Sequence, residues 1–165
     1  MIEFVRATRA AVRDENWLAG LALALTLPDM CASVETGKGT GKNYADWFDR
    51  YLQAEYTAEL PEVDGRFAPH VFLSGNDCYA LRCALLHRGS DDITDQRARD
   101  VLDRFEFVAP RPGLFAHCNK RGAVLQLQVD VFTDQVCRGV ERWLAGPVST
   151  DEDARTRLSK LIEIR

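Results

Sequence analysis

The apolar residues of this chain change their period once and then change back, which limits the fold class more than any other feature. Up to about residue 103 they recur at helical spacing. Across "RFEFVA" and "LQLQVDV" they alternate, with Leu125, Leu127, Val129 and Val131 on one side and Gln126, Gln128 and Asp130 on the other. From Phe132 the helical spacing returns through Val136, Val140, Trp143 and Leu144. This order predicts an α+β fold, mainly α-helical, with a small antiparallel β-meander inserted near residues 105–130. "LFAHC" (114–118) is expected as one of its strands, joined to the last by the turn "NKRG". The length of 165 residues predicts a single domain, 1–165.

Within the helical part, residues 4–27 are rich in Ala, Leu and Arg and read as one helix. Pro28 is expected to break it and open a second, "PDMCASVE". "TGKGTGKN" invites a phosphate-loop reading. The pattern G-x-x-x-x-G-K-[ST] would put Thr36 where its first glycine belongs and Asn43 where a hydroxyl must hold magnesium, so a surface loop with Asn43 as helix cap is expected. Tyr44, Trp47, Phe48, Tyr51 and Leu52 form one apolar face suited to a core. "PEVDGRFAPHVF" reads as a connection with His70 in a loop. "SDDITDQRARDVLDRF" reads as a charged helix or turn with Ile93, Val101 and Leu102 inward. Ser149 with Glu152 forms a capping box for a last helix through Leu158, Leu161 and Ile162.

The formal net charge of -4 provides no general attraction to phosphate backbones, so any nucleic-acid contact has to be local. Five cysteines without a CxxC pair predict reduced core thiols. His117 and Cys118 read as strand residues. A site made of Cys78, Cys83, His87, His117 and Cys118 follows no zinc spacing, so neither a metal nor a cofactor is expected. No window of eighteen uninterrupted apolar residues and no secretory pattern is found, which predicts no membrane association and a cytoplasmic location.

One helix has both ends written into the sequence. In "SGNDCYALRCALLHRGS" Ser74 is the N-cap, with Asp77 three residues on, and Gly89 supplies the left-handed C-terminal position. Its apolar face, Cys78, Leu81 and Leu85, is interrupted by Arg82 and followed by His87. On an ideal helix these two lie about 140° and about 7.5 Å apart, so one helix alone is not expected to bring them together. Tyr79, Cys83 and Leu86 form a strip between them. Either Arg82 is a structural cation paired with Asp77 or with a carboxylate of the first helix, or this helix packs on a second copy and the Arg and His of two chains converge.

"LRCALLHRG" resembles the R-x4-6-H signature of the HEPN superfamily, small helical domains that include metal-independent endoribonucleases and toxins of bacterial conflict and antiphage systems. The longer string, with "LPDMCASVE" and "YADWFDRYL", is also similar to an uncharacterised bacterial family of helical proteins. The resemblance implies a HEPN-like helical bundle and a homodimer through residues 74–89. It implies His87 exchanging protons with a ribose 2'-hydroxyl or the leaving 5'-oxygen, and Arg82 holding the scissile phosphate. Arg88 and Tyr79 would bind substrate, with Lys120 and Arg121 adding positive potential. RNA would be the substrate, and an antitoxin or other protein the partner. A non-catalytic interaction or scaffold domain with Arg82 structural is the alternative. The functional reading requires that Arg82 not be locked to an acid of its own subunit while the His87 imidazole faces open solvent.

Overall fold

In a computed structural model that describes residues 1–162, the chain is an α+β fold of six helices and two small sheets among the described residues. The helices are α1 (Ile2–Arg13), α2 (Trp17–Thr36), α3 (Gly41–Tyr51), α4 (Gly75–Arg88), α5 (Val129–Ala145) and α6 (Glu152–Leu158). A hairpin of β1 (Thr57–Pro61) and β2 (Phe67–Val71) separates α3 from α4; β3 (Arg104–Val108), β4 (Asn119–Arg121) and β5 (Val124–Gln128) precede α5.

The residues at 4–27 do not form one helix. The chain turns at Asp14 to Asn16, where Glu15 adopts a positive φ of 56°, and Asn16 caps α2 by accepting from the Ala19 amide. Pro28 lies inside α2 without ending it, contrary to expectation. The bond lost to the missing N–H is outweighed because Leu25, Leu27, Pro28, Cys31 and Ala32 are all buried by neighbouring helices. Gly37, at φ 74°, ends the helix instead. By length and composition α2 could cross a bilayer, with a mean hydropathy of 1.5 over its window, although Thr26, Asp29 and Ser33 interrupt its apolar run. Half of that window is buried inside this fold.

Thr40, not Asn43, caps α3: its Oγ1 accepts from the Asn43 amide at 3.1 Å, while Asn43 Nδ2 ties the preceding loop through Lys38 O and Thr36 Oγ1, each at 3.0 Å. Thr40→Ala is expected to cost about 1 kcal/mol, read from the urea midpoint. The expected aromatic face of α3 is core, with Tyr44, Trp47, Phe48 and Leu52 fully buried and Tyr51 packed against it.

The connection before α4 is an antiparallel hairpin, registered Thr57↔Val71 to Pro61↔Phe67. His70 therefore sits on a strand, its ring edge-on to Phe72. The second sheet corrects the expected antiparallel meander: its order is β3-β5-β4, with β3 parallel and β4 antiparallel to β5. Residues 114–118 form no strand, because Pro110, Pro112 and Gly113 punctuate a crossover, and the third strand is Asn119–Arg121, turned by Gly122. Pairing Phe105↔Leu125 and Phe107↔Leu127 sets both strands' apolar side chains toward the core, where Phe107 meets Phe132 of α5. Helix α5 starts at Val129, so Val129 and Val131 are helical and not strand residues.

Residues 90–103 hold no helix. Ile93 and Leu102 are buried as expected, whereas Val101 is exposed. The buried Asp77 carboxylate pins this segment by accepting from the amides of Asp100 (2.8 Å), Val101 (3.4 Å) and Leu102 (3.4 Å). Helix α6 is capped by Asp151, which accepts from the Ala154 amide at 2.9 Å, while Ser149 lies in the preceding turn. Helix α5 docks on α1 and α2, and Arg9 of α1 bridges Glu141 (3.0 Å) and Asp134 (3.3 Å) of α5.

Candidate functional site

Helix α4 has the ends the sequence predicts. Ser74 Oγ accepts from the Asp77 amide at 3.1 Å, and Gly89, at φ 64°, donates its N–H to Leu85 O at 2.8 Å. Its inner face, Cys78, Leu81 and Ala84, is fully buried against α3 and α2. Gly75 permits the close approach: a Cβ there would lie 2.3 Å from the Ala45 carbonyl oxygen.

Arg82 leaves this face at the boundary with solvent, its side chain 24% exposed. Its Nε stands 2.7 Å from Oδ2 of Asp29 on α2. The expected structural partners were Asp77 or the first helix; Asp77 is occupied by the 100–102 amides, and α2 presents Asp29 across the interface instead. Burial pushes the Asp29 carboxyl above its usual range, against the pull of the Arg82 charge. Nη1 of the same guanidinium lies 3.3 Å from Nε2 of His87.

This contact corrects the expectation that one helix keeps the two groups apart. Side chains on a helix lean toward its N-terminus, so the exposed His87 ring tilts back over the preceding turn while the long Arg82 side chain reaches to it. A guanidinium has only donors, so Nε2 is the acceptor and the imidazole proton belongs on Nδ1. Arg82 is thus paired to an acid of its own subunit, and the imidazole, though exposed, keeps contact with that guanidinium. The requirement set by the sequence is half met: Asp29, Arg82 and His87 form a chain of contacts within one subunit.

A groove of about 540 Å³ opens beside Asp29 and Arg82, with His87 outside its lining, walled by α2, α4, the loop before α3 and the α6 region. Asp29, Ser33, Thr40, Tyr79, Arg82 and Arg157 line it. Tyr79, expected to bind substrate, is in the wall, its ring tilted 56° against Tyr44 at 5.3 Å. Arg157 donates to Val34 O (2.6 Å) and Glu35 O (2.9 Å), so it brings positive charge to the groove while completing the C-terminus of α2. Arg88, the other expected substrate residue, is turned away: both its Nη atoms bond Asp95, one at 2.8 Å to Oδ1. Lys120 and Arg121 sit on β4 and line none of the groove.

Asp29 and Arg157 are the residues that sequence reasoning missed. Asp29 follows a proline read as a helix start, and Arg157 lies 75 residues after Arg82 in a charged helix, so neither carries a local signal. Compared with models of protein families, with curated proteins and with solved structures, the chain gives no significant match.

Proposed function

We propose that this protein is a metal-independent endoribonuclease of HEPN type, its helices forming a HEPN-like bundle, and that it works as a homodimer, as a toxin or antiphage defence component with an antitoxin-like partner. The observation that carries the reading is the direct Arg82–His87 contact with Asp29 behind it. A phosphate that takes Nη1 of Arg82 releases Nε2 of His87. That nitrogen can then accept the proton of the adjacent ribose 2'-hydroxyl. The 2'-oxygen forms a bond to phosphorus, the P–O5' bond breaks, and the 5'-oxygen takes the proton from the imidazolium, leaving a 2',3'-cyclic phosphate. Arg82 stabilises the charge that gathers on the phosphoryl oxygens. Asp29 keeps the guanidinium oriented when His87 lets go of it. Half-buried Cys83 and Leu86 beside the pair form the surface on which a second α4 would pack, leaving Tyr79 in the groove wall.

The test is incubation of the pure protein with mixed single-stranded RNA in EDTA, with product ends identified. Cyclic phosphate ends made by the wild type and lost in His87→Ala and in Arg82→Ala support the enzyme. No cleavage, or cleavage undiminished by His87→Ala, overturns it. A monomeric mass in solution overturns the dimer alone, since the Asp29, Arg82 and His87 contacts lie within one chain.

The Arg82–Asp29 ion pair also favours a second reading, a non-catalytic interaction or scaffold domain in which Arg82 is structural. Under that reading His87→Ala is silent in every assay. Arg82→Ala lowers stability under either reading, by about 2 kcal/mol, the usual cost of stranding a buried acid discounted for the partial exposure of both groups.

A further inference from the structure

We infer that the groove beside Arg82 receives one unstacked nucleobase of single-stranded RNA, set against Tyr79, while the adjoining phosphate lies at Arg82. The inference rests on the ribonuclease reading and names the form of RNA it would take.

The groove is within the size range of small-molecule sites and is shallow and broadly open, which suits an element laid in from a continuous strand. Its wall mixes apolar and polar groups: Met30 and Leu161 supply apolar surface, while the Ser33 hydroxyl offers a donor and an acceptor. A base has the same division, apolar faces and hydrogen-bonding edges. Tyr79 is held as a rigid wall. Its ring abuts Gly41 so closely that a Cβ there would come within 2.5 Å of Cε1, and Tyr44 supports it from the core. The base is thus the part of RNA that matches the wall, and Arg82, in the same groove, is the donor fork for the phosphate next to it.

Duplex RNA keeps its bases stacked inside a narrow major groove and a shallow minor one, so it has nothing to insert. Single strands and loops can splay a base onto an aromatic ring. The arginines at the groove also fit a free phosphate, but a phosphate alone leaves the apolar side of the wall unused.

The test is equilibrium binding of a fluorescent 2'-O-methyl RNA strand, which cannot cleave itself because the attacking oxygen is blocked. The same strand annealed to its complement, and inorganic phosphate as competitor, are the other arms. The single strand is expected to bind more tightly than the duplex, with millimolar phosphate displacing little of it. Tyr79→Ala should weaken binding roughly tenfold, Gly41→Ala should weaken it by displacing the ring, and Tyr79→Phe should retain it. Equal binding of duplex and single strand, or wild-type binding by Tyr79→Ala, overturns the base subsite even if RNA is cleaved. Tight, Tyr79-dependent binding without cleavage of the unmodified strand overturns the ribonuclease reading and leaves the groove as an RNA-binding site.

Discussion

His87→Ala is expected to lower RNA cleavage by two to four orders of magnitude, the usual contribution of a positioned acid-base group, while the melting temperature stays within about a degree of the wild type. The two halves of this result come from the same geometry. His87 is exposed in the last turn of α4, and its side-chain partner is Arg82 at 3.3 Å. Removing the ring uncovers no core and strands no buried group, because Arg82 keeps Asp29. Arg82→Ala differs on the second half, since it leaves the Asp29 carboxylate at the α2–α4 interface without its cation. Both variants lose cleavage and only Arg82→Ala unfolds earlier, a pattern that single-turnover kinetics beside calorimetry would show. Equal loss of stability in the two variants would place His87 in the structural framework.

Gly75→Ala is expected to cost about 3 kcal/mol or more, the upper range for overpacking, and to lower the melting temperature by roughly 10 °C in a chain of this size. The added Cβ would stand 2.3 Å from Ala45 O, 2.7 Å from Ala45 Cα and 2.8 Å from Ala45 C. All three are backbone atoms of α3, so no rotamer relieves the contact and the two helices have to separate. Gly75 also donates its amide to Asp49 Oδ1 at 2.7 Å, a bond that such a separation would stretch. Tyr44 and Tyr79 meet across the same interface, so the groove wall should shift and RNA binding fall together with stability. Gly89→Ala is the control: nothing lies within 4 Å of its Cβ position, and only the φ of 64° makes the substitution unfavourable, by about 1 kcal/mol. Calorimetry on the two variants separates a steric cost from a conformational one.

The features legible in the sequence were those whose physical cause is local. Ser74, Gly89 and the aromatic spacing of α3 act within one or two turns, and they delivered α4 and the core face of α3 where expected. Pro28 misled because its penalty is local while the burial that overrides it comes from other helices. The alternation at 124–128 revealed a strand but not its partner, and a parallel neighbour from residues 104–108 leaves no mark on a single segment. At the site, Arg82, His87 and Tyr79 stood out as unusual residues on one helix. Asp29 could not, because a carboxylate gains meaning only from what faces it across an interface. Arg88 looked equivalent to Arg82 by charge, and only the position of Asp95 tells them apart.

The docking of α5 on α1 and α2 bears on how the chain acquires its shape during synthesis. Helices α1 and α2 emerge before α5, yet part of the surface that covers them belongs to residues 129–145, and the bridge from Arg9 cannot form until Glu141 has left the ribosome. Until then the part of α2 that α5 covers stays open. A nascent chain halted before α5 should therefore recruit holdase chaperones and yield to protease within α2, and release of α5 should end both vulnerabilities in a single cooperative step.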